Sequence, residues 1–333
     1  MQVKVTHVAP RTPIEREDYA TDLASPSAPA SRDIAKRLRD CGNCKLGEEL
    51  LLIGALEPID FGSSRINQRL SRTAEILRAN YETALEEAEQ TFRDFSRRFL
   101  IQAKCLTWDR TIPLSPEEIE SRFRVIKTEL IDPIKTGSED PQYDDLTLTI
   151  RMPVPVIGGT FSYADFVHEA LHGIAGRHAA LVEFHLRNKT DHEEMCVLRG
   201  GLQFEIPHAV QDRTFFNWLN EGLVEYLTEL FVPEEQRTEV AYEDEVNIIR
   251  ALTAPQGLYR IPLETLTAAY FANYDPTAES GLRFPEWHDL TRVFPVQQMH
   301  KIANLIDRDG TEATVELLTS QNLFAIPAEE LGL

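Results

Sequence analysis

Residues 166–178 read FVHEALHGIAGRH. His168, Glu169 and His172 spell H-E-x-x-H, and His178 follows six residues later. Residues four apart on an α-helix lie on one face, so two imidazoles at this spacing can grip one Zn²⁺ without straining the backbone. The glutamate between them reaches the same side. Zinc acidifies a bound water, and such a carboxylate takes the proton as a carbonyl is attacked. The flanking residues agree with a helix. Ser162 and Asp165 form an S-x-x-D start signal preceded by Phe161. Phe166, Val167, Ala170, Leu171, Ile174 and Ala175 recur at helical spacing.

A catalytic zinc site normally uses three protein ligands and keeps a fourth position open. The motif supplies two, and two candidates offer the third. His178 stands where the metzincin pattern H-E-x-x-H-x-x-G-x-x-H places its last histidine, but Ala175 holds the glycine position and Gly176 comes one residue late. On a helix that ran straight on, His178 would face away from His172. Next to a helix C-terminus, a histidine also has a plain electrostatic role against the macrodipole. The second candidate lies in FFNWLNEGLVEYLTELF, residues 215–231. Phe215, Trp218, Leu219, Leu223, Leu227 and Leu230 make a helical apolar stripe, and Glu221 and Glu225 stand four apart on another face. Glu221 offers a ligand. Glu225, one turn on, offers a hydrogen-bond acceptor for the outer nitrogen of a ligating histidine. An ordinary amphipathic helix with a solvated acidic face would look the same.

HEALH at 168–172 followed by WLNEGLVEYLTE at 218–229 resembles the gluzincin metallopeptidases, the thermolysin-like and M1 aminopeptidase-like group of the peptidase MA superfamily. The resemblance covers roughly 160–231. It implies that Glu221 is the third zinc ligand, that Glu225 supports the first histidine, and that Glu169 is the general base of peptide hydrolysis with one Zn²⁺ per chain. It also implies an oxyanion donor, usually tyrosine or histidine. Tyr242, Tyr259, Tyr270, Tyr274, His288 and His300 are available, and AYFANYD at 269–275 presents Tyr270 and Tyr274 together. The 48 residues between His172 and Glu221 make a longer connection than in the best-known members. In it, RGGLQFEI (199–206) suggests a strand pair, and DHEE (191–194) a solvated loop.

Outside the motif, DLTLTIR (145–151) alternates strictly and reads as a half-buried strand. In gluzincins such a strand edges the cleft and pairs with an extended substrate. MPVPVIGGT (152–160) reads as a connecting loop. Apolar residues from Ile66 to Phe99 recur in steps of three and four, predicting a helix over about 66–103 and about 50 Å long. Such a stripe serves a homo-oligomer seam or, more commonly, its own domain. SPEE (115–118) starts a further helix, and 241–254, 262–272, 285–293, 296–307 and 311–319 also read as helices. The fold expected is α+β and mostly helical. A small mixed or antiparallel sheet packs on the H-E-x-x-H helix, and the C-terminal half is helical. Residues 1–32, rich in Pro, Ser and Ala, read as a disordered arm, 33–140 as a helical region, and 141–333 as a zinc metallopeptidase-like domain.

The chain has 333 residues, 54 acidic against 34 basic, for a formal charge of −20. That balance disfavours nucleic acid and anionic membrane as partners and suits a peptide or protein substrate. MQVKVTHVAPRTPIERED lacks a basic segment followed by an apolar one, and the longest apolar run, LLLIGAL at 50–56, is too short to span a bilayer. The simplest expectation is a cytoplasmic protein, with export by a route that reads no such signal left open. Cys41 and Cys44 form a C-x-x-C with no second pair to complete a zinc ribbon, and Cys105 and Cys196 stand alone. The competing class is an interaction protein on the same scaffold, metal-free or with a structural zinc closed by His178 or Cys196.

Overall fold

Ser162 starts the helix on which the motif depends. Its side chain accepts from the Asp165 N–H, and the helix runs Tyr163–Ile174. In the computed structural model the described residues are 2–7, 87–108, 110–131, 140–153, 160–185, 192–206, 213–237, 242–273 and 285–319. The helices in chain order are α1 (87–106), α2 (Pro116–Phe123), α3 (Tyr163–Ile174), α4 (Asn217–Phe231), α5 (Glu243–Thr253), α6 (Leu263–Phe271), α7 (Pro285–Val293), α8 (Val296–Asp309) and α9 (Thr311–Thr319). The strands are β1 (Gln2–His7), β2 (Lys127–Ile131), β3 (Gln142–Asp144), β4 (Thr149–Pro153), β5 (Arg177–His185), β6 (His192–Gly200), β7 (Gln203–Ile206) and β8 (Arg213–Phe215). The fold is α+β and mostly helical. A mixed three-stranded sheet runs β2-β4-β3 and an antiparallel five-stranded sheet runs β1-β5-β6-β7-β8.

One hydrophobic core gathers most of this. Phe92 and Phe99 of α1, Ile119 of α2, Phe166 and Leu171 of α3, Leu223 and Phe231 of α4, Ile249 of α5 and Leu266 of α6 are all buried in it. Phe99 stacks on Phe231 at 5.3 Å between ring centroids, and Phe92 meets Phe161 edge-on at 4.9 Å. Fully burying one such side chain contributes about 1.5–3 kcal/mol. The stripe of the predicted long helix is therefore spent on the chain's own core over 87–106. Its earlier half lies outside the described residues, as do Cys41 and Cys44. The capping box at Ser115 and Glu118 opens α2 as expected.

Three expectations are corrected. DLTLTIR is not one strand. The Asp144 carboxylate accepts from the N–H groups of Leu146 and Thr147, at 2.9 and 3.1 Å, which folds 145–148 into a turn. Leu148 then takes a left-handed φ of 56° before β4 begins. β4 is also the middle strand, parallel to β2 and antiparallel to β3, so it is no substrate edge. DHEE is no loop from His192 onward. His192 opens β6, which pairs with β5 as far as Phe184↔His192. The apolar run at 179–182 needs a partner strand, and extending the hairpin supplies one. Finally, residues 2–7 of the expected arm form β1 on β5, from Gln2↔His185 to His7↔Ala180. The rest of 1–32 lies outside the described residues. The strand pair at 199–206 is present as the β6–β7 hairpin.

Candidate metal centre

Helix α3 carries three of the predicted residues and α4 two, and the helices pack together. His168 Nε2, His172 Nε2 and Glu221 Oε2 form a nearly equilateral triangle with sides of 3.2, 3.2 and 3.3 Å. A tetrahedral ion about 2.0–2.1 Å from each ligand needs ligand atoms about 3.3 Å apart. The triangle fits one face of that tetrahedron. Two imidazole nitrogens and a carboxylate oxygen are a zinc donor set. Among the described residues no other His, Cys, Asp or Glu joins the group.

Glu225 lies one turn beyond Glu221 and is itself buried. Its Oε2 stands 2.8 Å from His168 Nδ1. With Nδ1–H donating to this carboxylate, Nε2 is left as the free lone pair that a metal needs. Glu169 is 8% exposed and makes no hydrogen bond among the described residues. Burial raises its carboxyl above the ordinary range, against the pull of His168 and His172. Burial lowers the His168 pKa, but the bonds to Glu221 and Glu225 and the charge of Glu169 outweigh it and push it up to about 10. His172 is raised too, burial being outweighed by the charge of Glu221. Glu221 is raised by burial and lowered more by the two histidines, ending well below the usual carboxylate range. The carboxylates thus draw positive charge onto the histidines, and a divalent cation satisfies the same need.

The surrounding chain holds this arrangement. Asn220 Oδ1 accepts from the Leu202 N–H at 2.9 Å, pinning α4 to the β6–β7 turn. A Cβ on Gly222 would lie 2.7 Å from the Glu245 carbonyl oxygen, so the glycine of N-E-G is what lets α5 approach α4. That approach brings Tyr242 over the site. It takes a left-handed φ of 56° just before α5, and its ring stacks on His168 at 5.6 Å and 19°. Burial and the charges of Glu221, Glu169, Glu245 and Asp140 push its hydroxyl up to about 12.

The other predicted positions fall elsewhere. Helix α3 ends at Ile174. Gly176 N–H donates to the Tyr270 carbonyl at 2.9 Å, and a Cβ there would lie 1.9 Å from the Ala272 carbonyl oxygen. The chain turns sharply there, and His178 is carried away into β5 opposite Arg199. Cys196 lies buried on β6, outside the group. Tyr270 is buried at the back of α3, and its hydroxyl donates to the Leu171 carbonyl at 3.1 Å. Its one proton is committed there. Tyr274 lies outside the described residues. Sequence reasoning counted Tyr242 among six candidates but could not single it out. The available signal was its place immediately before an amphipathic helix whose approach Gly222 permits. Comparison of the chain with protein-family models, with curated proteins and with solved structures finds no match in any of the three.

Proposed function

We propose that the chain is a zinc-dependent peptidase with the ligand set of the gluzincins, His168, His172 and Glu221. The observation that carries this reading is the 3.2–3.3 Å triangle with Glu225 bonded behind it. A zinc ion held by these residues would acidify a water molecule toward neutral pH and polarise a carbonyl oxygen. Glu169 is the general base. It stands beside both histidines with no hydrogen bond or ion pair among the described residues, takes the proton of the attacking water and delivers it to the departing amine. Glu225 fixes the tautomer and ring orientation of His168. Tyr242, held over His168, donates its hydroxyl proton to the oxygen on which negative charge develops. Helix α1 buttresses α3 through Phe92 and Phe95, whose rings meet Phe166. Among the described residues no helix is long and apolar enough to cross a membrane.

The test is a pool of fluorescence-quenched peptides offered to the zinc-loaded protein and to Glu169→Gln. The wild type cleaves members of the pool. Glu169→Gln keeps its zinc and loses about 10²–10⁴-fold in rate, the usual worth of a general base. A zinc-loaded wild type that cleaves nothing would leave a structural zinc in an interaction protein.

A further inference from the structure

We propose that the site at the His168–His172–Glu221 triangle takes a peptide bearing a cationic group, an ammonium or guanidinium, close to the bond that is cut, with Asp165 and Glu245 selecting it. The inference rests on the peptidase reading and adds a substrate class to it.

Carboxylates converge on this site from four places: Asp140 ahead of β3, Asp165 and Glu169 on α3, Glu221 and Glu225 on α4, and Glu245 on α5. Asp165 lies three and four residues before His168 and Glu169, which puts it on their face of the helix. The charges of Glu225 and Asp140 reach it. Those of Glu221, Glu169, Glu245 and Asp140 reach the Tyr242 hydroxyl, which stands over the triangle.

An acidic chain has acidic surface everywhere, but elsewhere several of its half-buried carboxylates are matched. Glu120 meets Lys104 and Arg124, Glu229 meets Arg237 and Arg250, and Asp144 meets Arg151. At the site, Asp165, Glu169 and Glu245 make no ion pair among the described residues. Glu169 is 8% exposed and lacks even a hydrogen bond there. A buried carboxylate without a partner among the described residues calls for a positive one. Two nearby arginines do not serve. Arg122 donates to the Ile174 and Phe271 carbonyls at 2.9 and 2.8 Å, and Arg199 donates to the Ala269 and Ala272 carbonyls. A divalent ion offsets two of the five negative charges that α3, α4 and α5 bring here. The rest form a field that gathers cations and repels acidic peptides.

Binding tests this without depending on turnover. Isothermal calorimetry would use zinc-loaded Glu169→Gln, which does not consume the ligand, with and without Asp165→Asn and Glu245→Gln. Zinc content and circular dichroism check that each variant is folded. The probes are end-blocked alanine pentapeptides with Lys, Ala or Glu at the centre, and an all-alanine pentapeptide with a free amine. The lysine peptide should bind about tenfold tighter than its alanine counterpart and the glutamate peptide weakest. This preference should shrink as salt rises from about 50 to about 300 mM. In the doubly neutralised protein it should collapse toward equality. An equal gain from the free amine identifies the terminal ammonium as the recognised group, and a gain from lysine alone identifies the side chain. Equal or undetectable binding of all four probes, or a lysine preference that survives Asp165→Asn with Glu245→Gln, overturns the proposal. A charge preference in a protein that cleaves nothing would count against the peptidase reading and leave only the binding of cationic peptides, whereas cleavage without a charge preference would overturn this proposal alone.

Discussion

Glu225 and Tyr242 both act on His168, one through its outer nitrogen and one through its ring face. Their removal should therefore read differently. Glu225→Gln weakens the carboxylate–histidine contact, and zinc affinity should fall about 10–100-fold, measured by competition with a chelating dye. Tyr242→Phe keeps the ring and removes only the hydroxyl. Zinc content should hold while kcat drops about 10²–10³-fold, the usual cost of one oxyanion donor. A Tyr242→Phe protein with unchanged kcat would remove that residue from the mechanism. The five residues on α3 and α4 were legible because helix periodicity is local, and four-residue spacings announce a shared face. Tyr242 was not, because its position depends on α5 crossing α4 over Gly222, a contact between segments that no spacing rule links. The position of Tyr270 was hidden for the same reason. Its place behind α3 comes from the docking of α6, not from its neighbours in sequence.

At the scale of elements, what ends α3 matters as much as what starts it. Ser162 supplies the cap, and Ser162→Ala should cost about 1 kcal/mol in denaturant unfolding. At the other end, the Gly176 N–H and the guanidinium groups of Arg122 and Arg199 take the carbonyls at the C-terminus of α6, Ala269 through Ala272. Arg122 also takes the last carbonyl of α3, Ile174. A methyl group at Gly176 would collide with backbone that cannot swing aside. Gly176→Ala should cost more than the ~1–3 kcal/mol of ordinary overpacking, and its midpoint in urea should fall far below that of Ser162→Ala. Equal midpoints would contradict the account of this turn. Every helix expected in the C-terminal half is present, with ends within two residues, because each has a clear apolar stripe and a proline, glycine or loop at its bounds. Strands were less legible. Alternation in DLTLTIR was real, but the Asp144 side chain captured two backbone N–H groups and turned the chain first. The charged start of β6 gave no strand signal at all, since its pairing is set by the length of β5.

At the scale of the whole molecule, one core joins α1 and α2 to the helices that carry the triangle, so an ion bound there would add to global stability. Zinc in hundredfold excess over its Kd should add about 2.7 kcal/mol to the stability of the folded state, and a chelator should reverse the rise in Tm. A Tm indifferent to both would mean that the triangle takes no ion. The formal charge of −20 was plain from composition. Its concentration around the triangle was not, because Asp140, Asp165, Glu221 and Glu245 come together only through packing. The central claim concerns the ligands themselves. Its most direct test is zinc stoichiometry by elemental analysis on wild type, Glu221→Ala and His178→Ala, each shown to be folded. One ion per chain in the wild type and in His178→Ala, with loss in Glu221→Ala, is the predicted result. A wild type that takes up no zinc when supplied with it, or a Glu221→Ala protein that keeps its ion, would contradict it.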